Sequence, residues 1–159
     1  MTTPTHPKVG EHAPAFALPS APGQVEDLTK VIGREKVVLL FFPFAFSSVC
    51  TQEMCHLRDQ WAQWGSIGAR IYGISIDSPF VNEKFQQVEE IPFPILSDFN
   101  KDVSSRYGVL LEDVGGFKGV ATRAAFVIDA AGVIRYAKVN ASPREQVDFA
   151  AIEEAVRSC

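Results

Sequence analysis

The feature that most constrains the fold is a pair of short apolar runs separated by a helical segment. Residues 36–42 read KVVLLFF and residues 70–76 read RIYGISI, so both runs are rich in β-branched, aromatic and other apolar side chains. Runs of this length and composition are typical of strands buried on both faces of a sheet. Residues 48–64 carry apolar side chains at helical spacing and are followed by Gly65, which ends the helix. The sequence therefore predicts a β-α-β arrangement around residues 43–47, a loop that begins with proline.

The rest of the chain continues the alternation of helices and strands. Further signals predict strands at residues 91–96, 121–129 and 133–139, with strand hints at 15–18, and helices at 77–88, 97–107 and from 142 to near the C-terminus. The last helix is expected to open with a capping box at residues 142–145. This order predicts one α/β domain over residues 1–159 with a thioredoxin-like fold, a central mixed β-sheet flanked by helices. About residues 1–7 are expected to be mobile.

Composition limits the classes of function. Of the 159 residues, 47% are hydrophobic and 21% charged, enough for a full core without disulfide staples. The net charge of −4, without a run of lysines and arginines, argues against nucleic-acid and anionic-membrane partners. Residues 1–10 lack the apolar stretch of a secretory signal, and the longest apolar run, residues 37–42, is too short to span a bilayer. We therefore expect a cytoplasmic protein.

Three cysteines, Cys50, Cys55 and Cys159, are too few for a disulfide framework, so each needs its own explanation. Cys50 follows a buried strand and a proline loop and falls in the first turn of the next helix. If Ser47 is the N-cap, Cys50 is the third helical residue. The free amides of a first turn and the positive end of the helix dipole favour a thiolate over a thiol. Because loops at the carboxyl edge of an α/β sheet also hold ligands, we predict that Cys50 is a reactive nucleophile.

The spacing of Cys50 and Cys55 limits their chemistry. Five residues on an ideal helix place the two Cα atoms roughly 8 to 9 Å apart, whereas a disulfide needs about 4.4 to 6.8 Å. The two thiols therefore cannot bond while the helix is intact, but they can if its first turns unwind. The chain has no Cys-x-x-Cys motif, which disfavours a thioredoxin-type dithiol exchanger.

These residues carry a family resemblance. Residues 43–50, PFAFSSVC, resemble the peroxiredoxin signature Pro-x-x-x-Thr/Ser-x-x-Cys. Residues 50–59, with a second cysteine five positions after the first, resemble the bacterioferritin-comigratory-protein (PrxQ)-like branch. Residues 93–98 and 122–129 are similar to the AhpE-like branch, and the resemblance extends over most of the chain.

The resemblance implies a role for five residues and needs no metal or other cofactor. Cys50 would be the peroxidatic cysteine, which attacks a peroxide oxygen and becomes a sulfenic acid. Ser47 would hydrogen-bond the thiolate and the peroxide, and Pro43 would shield the sulfenate from water. Arg123 would stabilise the thiolate and polarise the peroxide. Glu53 would orient the arginine, although its ordinary role is a favourable interaction with the helix N-terminus.

The surroundings of Arg123 point in the same direction. In a strand over residues 121–128 it would share a face with Ala121, Ala125 and Val127, an unusual setting for a charge unless it meets an anion. The alternative is an ordinary charge on a surface edge strand.

The resemblance implies a thiol-dependent peroxidase that reduces hydrogen peroxide and organic hydroperoxides. In the expected cycle Cys55 attacks the Cys50 sulfenic acid, and a thioredoxin-type dithiol later reduces the disulfide. AhpE-like proteins typically lack the second cysteine, so a one-cysteine cycle with an external thiol stays open. Cys159 is either an alternative resolving residue or a dispensable terminal thiol. The sequence leaves the preferred peroxide and the choice between monomer and homodimer open.

Two further classes of function use the same cysteines. A metal site at Cys50, Cys55 and His56 does not fit the usual zinc spacings, and the other histidines, His6 and His12, lie near the N-terminus. A peroxide-sensing redox protein would use the same oxidisable Cys50 and signal through the unwound helix.

Overall fold

The computed structural model describes residues 6–159. The elements are, in chain order, β1 (Ala17–Ala21), β2 (Gln24–Asp27), β3 (Lys36–Phe41), α1 (Ser48–Asp59), α2 (Trp61–Trp64), β4 (Ala69–Ser75), α3 (Pro79–Val88), β5 (Ile95–Ser97), α4 (Asp102–Arg106), β6 (Leu110–Leu111), β7 (Val120–Ala121), β8 (Ala124–Ile128), β9 (Ile134–Val139) and α5 (Phe149–Ser158).

A five-stranded sheet in the order β5-β4-β3-β8-β9 forms the centre of the molecule. The strands β3, β4 and β5 are parallel to one another, and β8 and β9 join them in antiparallel pairing. The prediction of a mixed sheet is confirmed, and β5, in the segment that contains two prolines, lies at the edge. The central strand β3 leads directly into the loop at residues 43–47.

The sheet is buried on both faces. Val37, Leu39 and Phe41 belong to one apolar cluster, whereas Val38 and Leu40 belong to another. This alternation follows from the two-residue period of a strand, and it explains why β3 reads as an unbroken apolar run. The second cluster lies under α1, α3 and α5 and includes Cys50 and Met54 of α1.

The predicted single helix over residues 48–64 is divided in two. The first part, α1, ends at Asp59, and Gln60 leaves helical geometry with φ −102° and ψ 21°. In the short α2 that follows, Trp64 is buried and Trp61 lies against Phe93 at a ring-centroid distance of 5.9 Å. The helix ends at Gly65 as predicted, where a Cβ atom would lie 2.9 Å from the side chain of Trp61.

The prediction of a helix opening at residues 142–145 is wrong. The C-terminal helix α5 begins at Phe149, and the Asp148 side chain caps it by accepting a hydrogen bond from the Ala151 N–H at 3.0 Å. The main chain of residues 142–145 is engaged elsewhere. The Pro143 carbonyl oxygen accepts from Arg123 at 2.9 Å, and the carbonyl oxygen of residue 145 accepts from the Asn140 amide at 2.9 Å. These contacts hold the segment as a loop.

The predicted strand over residues 121–129 is also divided. The first part, β7 (Val120–Ala121), pairs with β6. The second part, β8, begins at Ala124 and belongs to the five-stranded sheet. As a result Ala121 packs in the first cluster, whereas Ala125 and Val127 pack in the second. The expectation that Arg123 shares a face with Ala121 is therefore wrong, because Arg123 contacts Cys50 of the second cluster, whereas Ala121 packs in the first.

The strand hints at residues 15–18 correspond to β1, which forms an antiparallel hairpin with β2. Of the segment expected to be mobile, residues 1–5 lie outside the described residues, and His6 lies near Phe126 with ring centroids 6.4 Å apart. Within residues 6–159, none of the helices is long and apolar enough to cross a membrane.

Candidate active site

Cys50 lies in the first turn of α1, directly after the central strand β3 and the loop at residues 43–47. Ser47 is the N-cap, with extended backbone, so Cys50 is the third helical residue as predicted. Its side chain is completely buried in the second apolar cluster. The first-turn amides of a helix have no acceptors within the helix, so this end of α1 favours a negative charge on the sulfur.

The Ser47 hydroxyl is turned back into the loop. It donates to the Phe44 carbonyl oxygen at 2.9 Å, and within the described chain it caps none of the N–H groups of α1. Because the hydroxyl proton is engaged, the oxygen presents its lone pairs as acceptors. Within residues 6–159 this hydroxyl makes no hydrogen bond to the Cys50 sulfur, and its lone pairs can accept a hydrogen bond from a bound molecule.

Arg123 connects Cys50 to two other buried groups. Its Nη2 donates to the Cys50 Sγ at 3.0 Å, its Nη1 lies 3.4 Å from the Glu53 Oε2, and its Nε donates to the Pro143 carbonyl oxygen at 2.9 Å. The side chain is only 1% exposed, so the alternative of a surface charge is wrong. A buried guanidinium is stable only where anions or oriented carbonyls meet it, and here it faces a sulfur and a carboxyl.

Glu53 completes this buried network. Its side chain is fully buried, and its Oε1 accepts a hydrogen bond from the Val147 N–H at 3.2 Å. Burial raises the pKa of Glu53 to about 7, while the Arg123 charge and the Val147 N–H oppose the shift. The positive charge of Arg123 is therefore only partly neutralised by Glu53 near neutral pH and can also stabilise a thiolate at Cys50.

The loop between β3 and α1 has aromatic walls. Pro43 is buried at its start, Phe44 meets Phe117 edge to face with centroids 5.4 Å apart, and Phe46 meets Phe85 at 5.1 Å. Phe46 adopts a φ of 68°, a left-handed conformation that costs a non-glycine residue about 1 kcal/mol. The packing of this loop therefore holds a backbone conformation that the chain would not adopt alone.

Cys55 lies apart from this network, further along the same unbroken helix. Its thiol donates to the Glu89 Oε2 at 3.5 Å, and the side chain is half-buried. Burial first, and then the hydrogen bond to Glu89, raise the pKa of Cys55, whereas the charge of Arg58 lowers it. Cys50, Cys55 and Cys159 are all free thiols.

Cys159 follows α5 and donates to the Val156 carbonyl oxygen at 3.5 Å. It packs against the same apolar cluster as Cys50. His56 is exposed on α1 and stacks on Phe149 with ring centroids 4.1 Å apart. Over residues 6–159, no group of three or more histidine, cysteine, aspartate or glutamate side chains is arranged to hold a metal ion.

The sequence missed the contributions of the loop before α5. Pro143 holds Arg123 through a carbonyl oxygen and Val147 holds Glu53 through an N–H. Main-chain groups are the same for nearly all residue types, so the sequence does not indicate which of them bind a side chain. The amide of Asn140, a residue that is 5% exposed, also binds this loop through the carbonyl oxygen of residue 145.

The comparisons with known proteins identify one family. Residues 9–137 match the AhpC/TSA family. A bcp peroxiredoxin of Coxiella burnetii is 38% identical over 130 residues, covering 80% of this chain and 85% of the relative. Alkyl hydroperoxide reductase E of Mycobacterium bovis is 35% identical over 134 residues, covering 83% and 85%. The crystal structure of peroxidoxin BcpB from Mycobacterium tuberculosis has a TM-score of 0.83 at 28% identity, covering 96% of this chain and 98% of that one.

The chain belongs to the AhpC/TSA family. It is a peroxiredoxin, a thiol-dependent peroxidase with the thioredoxin-like fold expected from its sequence.

Proposed function

We propose that Cys50 is the peroxidatic cysteine and that it reduces hydrogen peroxide and organic hydroperoxides. The observation that carries this proposal is the 3.0 Å contact between the Arg123 Nη2 and the Cys50 Sγ in a buried network at the start of α1. The thiolate attacks the terminal peroxide oxygen, the O–O bond breaks, and the leaving alkoxide or hydroxide takes up a proton as alcohol or water. The sulfur is oxidised to a sulfenic acid and the peroxide is reduced.

The neighbouring residues support this step in different ways. Ser47 accepts the hydroperoxide O–H and so aligns the O–O bond with the sulfur. Arg123 stabilises the thiolate and the negative charge that develops on the leaving oxygen. Glu53 positions Arg123, and Pro43 keeps water away from the sulfenic acid.

Cys55 is the proposed resolving residue. The Cys55 thiol loses its proton, and the thiolate attacks the Cys50 sulfur of the sulfenic acid. The sulfur–sulfur bond forms, the S–O bond breaks, and the leaving hydroxide takes up a proton as water. Because α1 is continuous between the two residues, this step requires the first turns of α1 to unwind. A thioredoxin-type dithiol then reduces the disulfide, and we propose that residues 1–159 act in this way as one domain in the cytoplasm.

A one-cysteine cycle is the second candidate. The contact of the Cys55 thiol with Glu89 favours it, because that contact holds the thiol against the C-terminal end of α3 and raises the pKa of Cys55. In this cycle an external thiol attacks the Cys50 sulfenic acid directly, and Cys55 remains reduced.

Peroxide consumption coupled to a thioredoxin system distinguishes the two cycles. We expect Cys50→Ser to abolish consumption, whereas Cys55→Ser should complete one turnover and then lose recycling by thioredoxin. Cys159→Ser is the matched control and should behave as the wild type. Peptide mapping without reductant after one equivalent of peroxide should find Cys50 joined to Cys55. A Cys50 sulfenic acid with free Cys55 would establish the one-cysteine cycle instead.

A further inference from the structure

We propose that Asp77 is a positioning residue for the peroxide, acting through the main chain of the loop at residues 43–47. The proposal rests on the function proposed above for Cys50 and Ser47. It adds a residue that lies outside the loop, on the segment that follows β4.

The geometry joins the Asp77 carboxylate to the centre of the loop. One oxygen, Oδ2, accepts a hydrogen bond from the Ala45 N–H at 2.8 Å and another from the Ser75 hydroxyl at 2.8 Å. Ala45 lies between Pro43, which begins the loop, and Ser47, which is the N-cap of α1. A hydrogen bond from an N–H to a carboxylate is among the stronger ones in proteins.

Asp77 is itself held by buried groups. Ser75 and Asn82 are both fully buried, and the Asn82 amide donates to the Leu96 carbonyl oxygen at 3.2 Å. The Asn82 Oδ1 also lies 3.1 Å from the Ser75 hydroxyl oxygen. The carboxylate therefore joins the loop to β4, β5 and α3, which are rigid parts of the molecule.

The loop needs such an anchor because its own conformation is strained. Phe46 has a φ of 68°, and the turn from Phe44 to Ser47 is closed by Ser47, whose hydroxyl and N–H both point to the Phe44 carbonyl oxygen at 2.9 and 3.4 Å. The Ala45 N–H belongs to the same peptide group as that carbonyl. When Asp77 holds the N–H, it fixes the direction of the carbonyl, and the carbonyl in turn fixes the Ser47 hydroxyl.

Arg123 approaches Cys50 from the other side of the site. Besides Cys50, its partners are Glu53 and the loop before α5. Within residues 6–159 it makes no hydrogen bond to Asp77 or Ala45. Loss of the Asp77 contact should therefore impair the alignment of the peroxide and leave the thiolate as it is.

Two rate constants distinguish alignment of the peroxide from stabilisation of the thiolate. Both are measured in a variant in which Cys50 is the only cysteine. One is for oxidation of Cys50 by hydrogen peroxide, and the other is for alkylation of Cys50 by iodoacetamide, which does not need an aligned O–O bond. We expect Asp77→Ala to lower the peroxide rate constant about ten-fold or more and to change alkylation less than two-fold. Asp77→Asn, which keeps an acceptor oxygen, should recover most of the peroxide rate.

Asp98→Ala is the matched control. Asp98 is buried, whereas Asp77 is half-buried, and the Asp98 carboxylate accepts hydrogen bonds from the Val103 and Ser104 N–H groups at the start of α4 at 3.2 and 2.6 Å. The Asp98→Ala substitution should lower the unfolding temperature and leave both rate constants unchanged. If Asp77→Ala does not fold, Asp77→Ser replaces it, because the shorter side chain also releases the Ala45 N–H.

The proposal is overturned if Asp77→Ala leaves the rate constant for peroxide unchanged, or if it lowers the peroxide and alkylation rate constants in parallel. It is also overturned if Asp77→Asn reacts with peroxide as slowly as Asp77→Ala. A wild-type protein whose Cys50 does not react with peroxide would instead refute the proposed function, whatever the Asp77 variants do.

Discussion

At the scale of single residues, one guanidinium organises the site. The five N–H groups of an arginine lie in one plane, and Arg123 directs them to a sulfur, a carboxyl and a main-chain carbonyl. A lysine has the same charge but a single nitrogen on a flexible chain. The shape of the side chain therefore matters as much as its charge.

Arg123→Lys separates these two properties. We expect the second-order rate constant for peroxide reduction to fall about 100-fold, because the ammonium cannot stabilise the sulfur and the leaving oxygen while it also meets Glu53. Stopped-flow measurement of Cys50 oxidation over a range of peroxide concentrations gives this constant.

Arg135→Lys is the control for Arg123→Lys. Arg135 forms a partly exposed ion pair with Asp129 at 2.7 Å, on the outer strand β9. Its substitution should leave the rate constant unchanged. A rate constant for Arg123→Lys within two-fold of the wild type would show that charge alone suffices at this position.

At the scale of elements, α1 carries both proposed reaction partners and must open for them to meet. Its middle is tied to the end of α3, since the Cys55 thiol contacts the Glu89 carboxylate at 3.5 Å and the Arg58 Nη1 donates to the Glu89 carbonyl oxygen at 2.7 Å. The two tryptophans, Trp61 and Trp64, lie in the α2 helix directly after α1. Their fluorescence should report the opening of α1.

Glu89→Gln tests how this contact affects resolution. The carboxylate raises the pKa of Cys55, so its removal should lower that pKa and increase the thiolate fraction at pH 7. A thiolate of lower pKa is a weaker nucleophile, which offsets part of the gain. We expect disulfide formation to become about two- to five-fold faster, measured as the tryptophan fluorescence phase that is independent of peroxide concentration.

The neighbouring Glu90 is exposed and provides the matched control. Glu90→Gln should leave the resolution rate unchanged. Slower disulfide formation in Glu89→Gln would contradict the prediction and would show that Glu89 instead assists Cys55 as a base.

The sequence predicted the elements that local patterns specify. The apolar run at residues 36–42, the proline that stops it and Ser47 at the N-cap together placed Cys50 at the third helical position. The failures lie where long-range contacts decide. Residues 142–145 have the pattern of a helix start, but Arg123 binds the carbonyl of Pro143 and the segment remains a loop. The contact of Cys55 with Glu89 joins residues 34 positions apart, and neither position carries a local signal for it.

At the scale of the whole molecule, Glu53 lies where three parts of the chain converge. It belongs to α1, contacts Arg123 just before β8, and accepts from Val147 in the loop before α5. Ionisation of this one buried group therefore affects packing between elements that are distant in sequence. Its raised pKa makes the stability of the whole fold depend on pH in the neutral range.

Glu53→Gln removes this dependence. Because the pKa of Glu53 rises from 4.5 to about 7 on folding, the native state binds the proton more tightly than the unfolded chain does. The stabilisation is complete below pH 4.5 and is lost as the pH rises through about 7. A shift of this size corresponds to about 3 kcal/mol in the free energy of unfolding.

Urea unfolding at pH 5 and pH 8 measures the effect. Other titrating groups are common to both proteins, so the wild type should lose up to about 3 kcal/mol more than Glu53→Gln between these two pH values. Glu112→Gln, at an exposed position in the loop between β6 and β7, should follow the wild type. Equal losses in the wild type and Glu53→Gln would mean that Glu53 keeps one protonation state between pH 5 and pH 8 and does not make the stability of the fold depend on pH in this range.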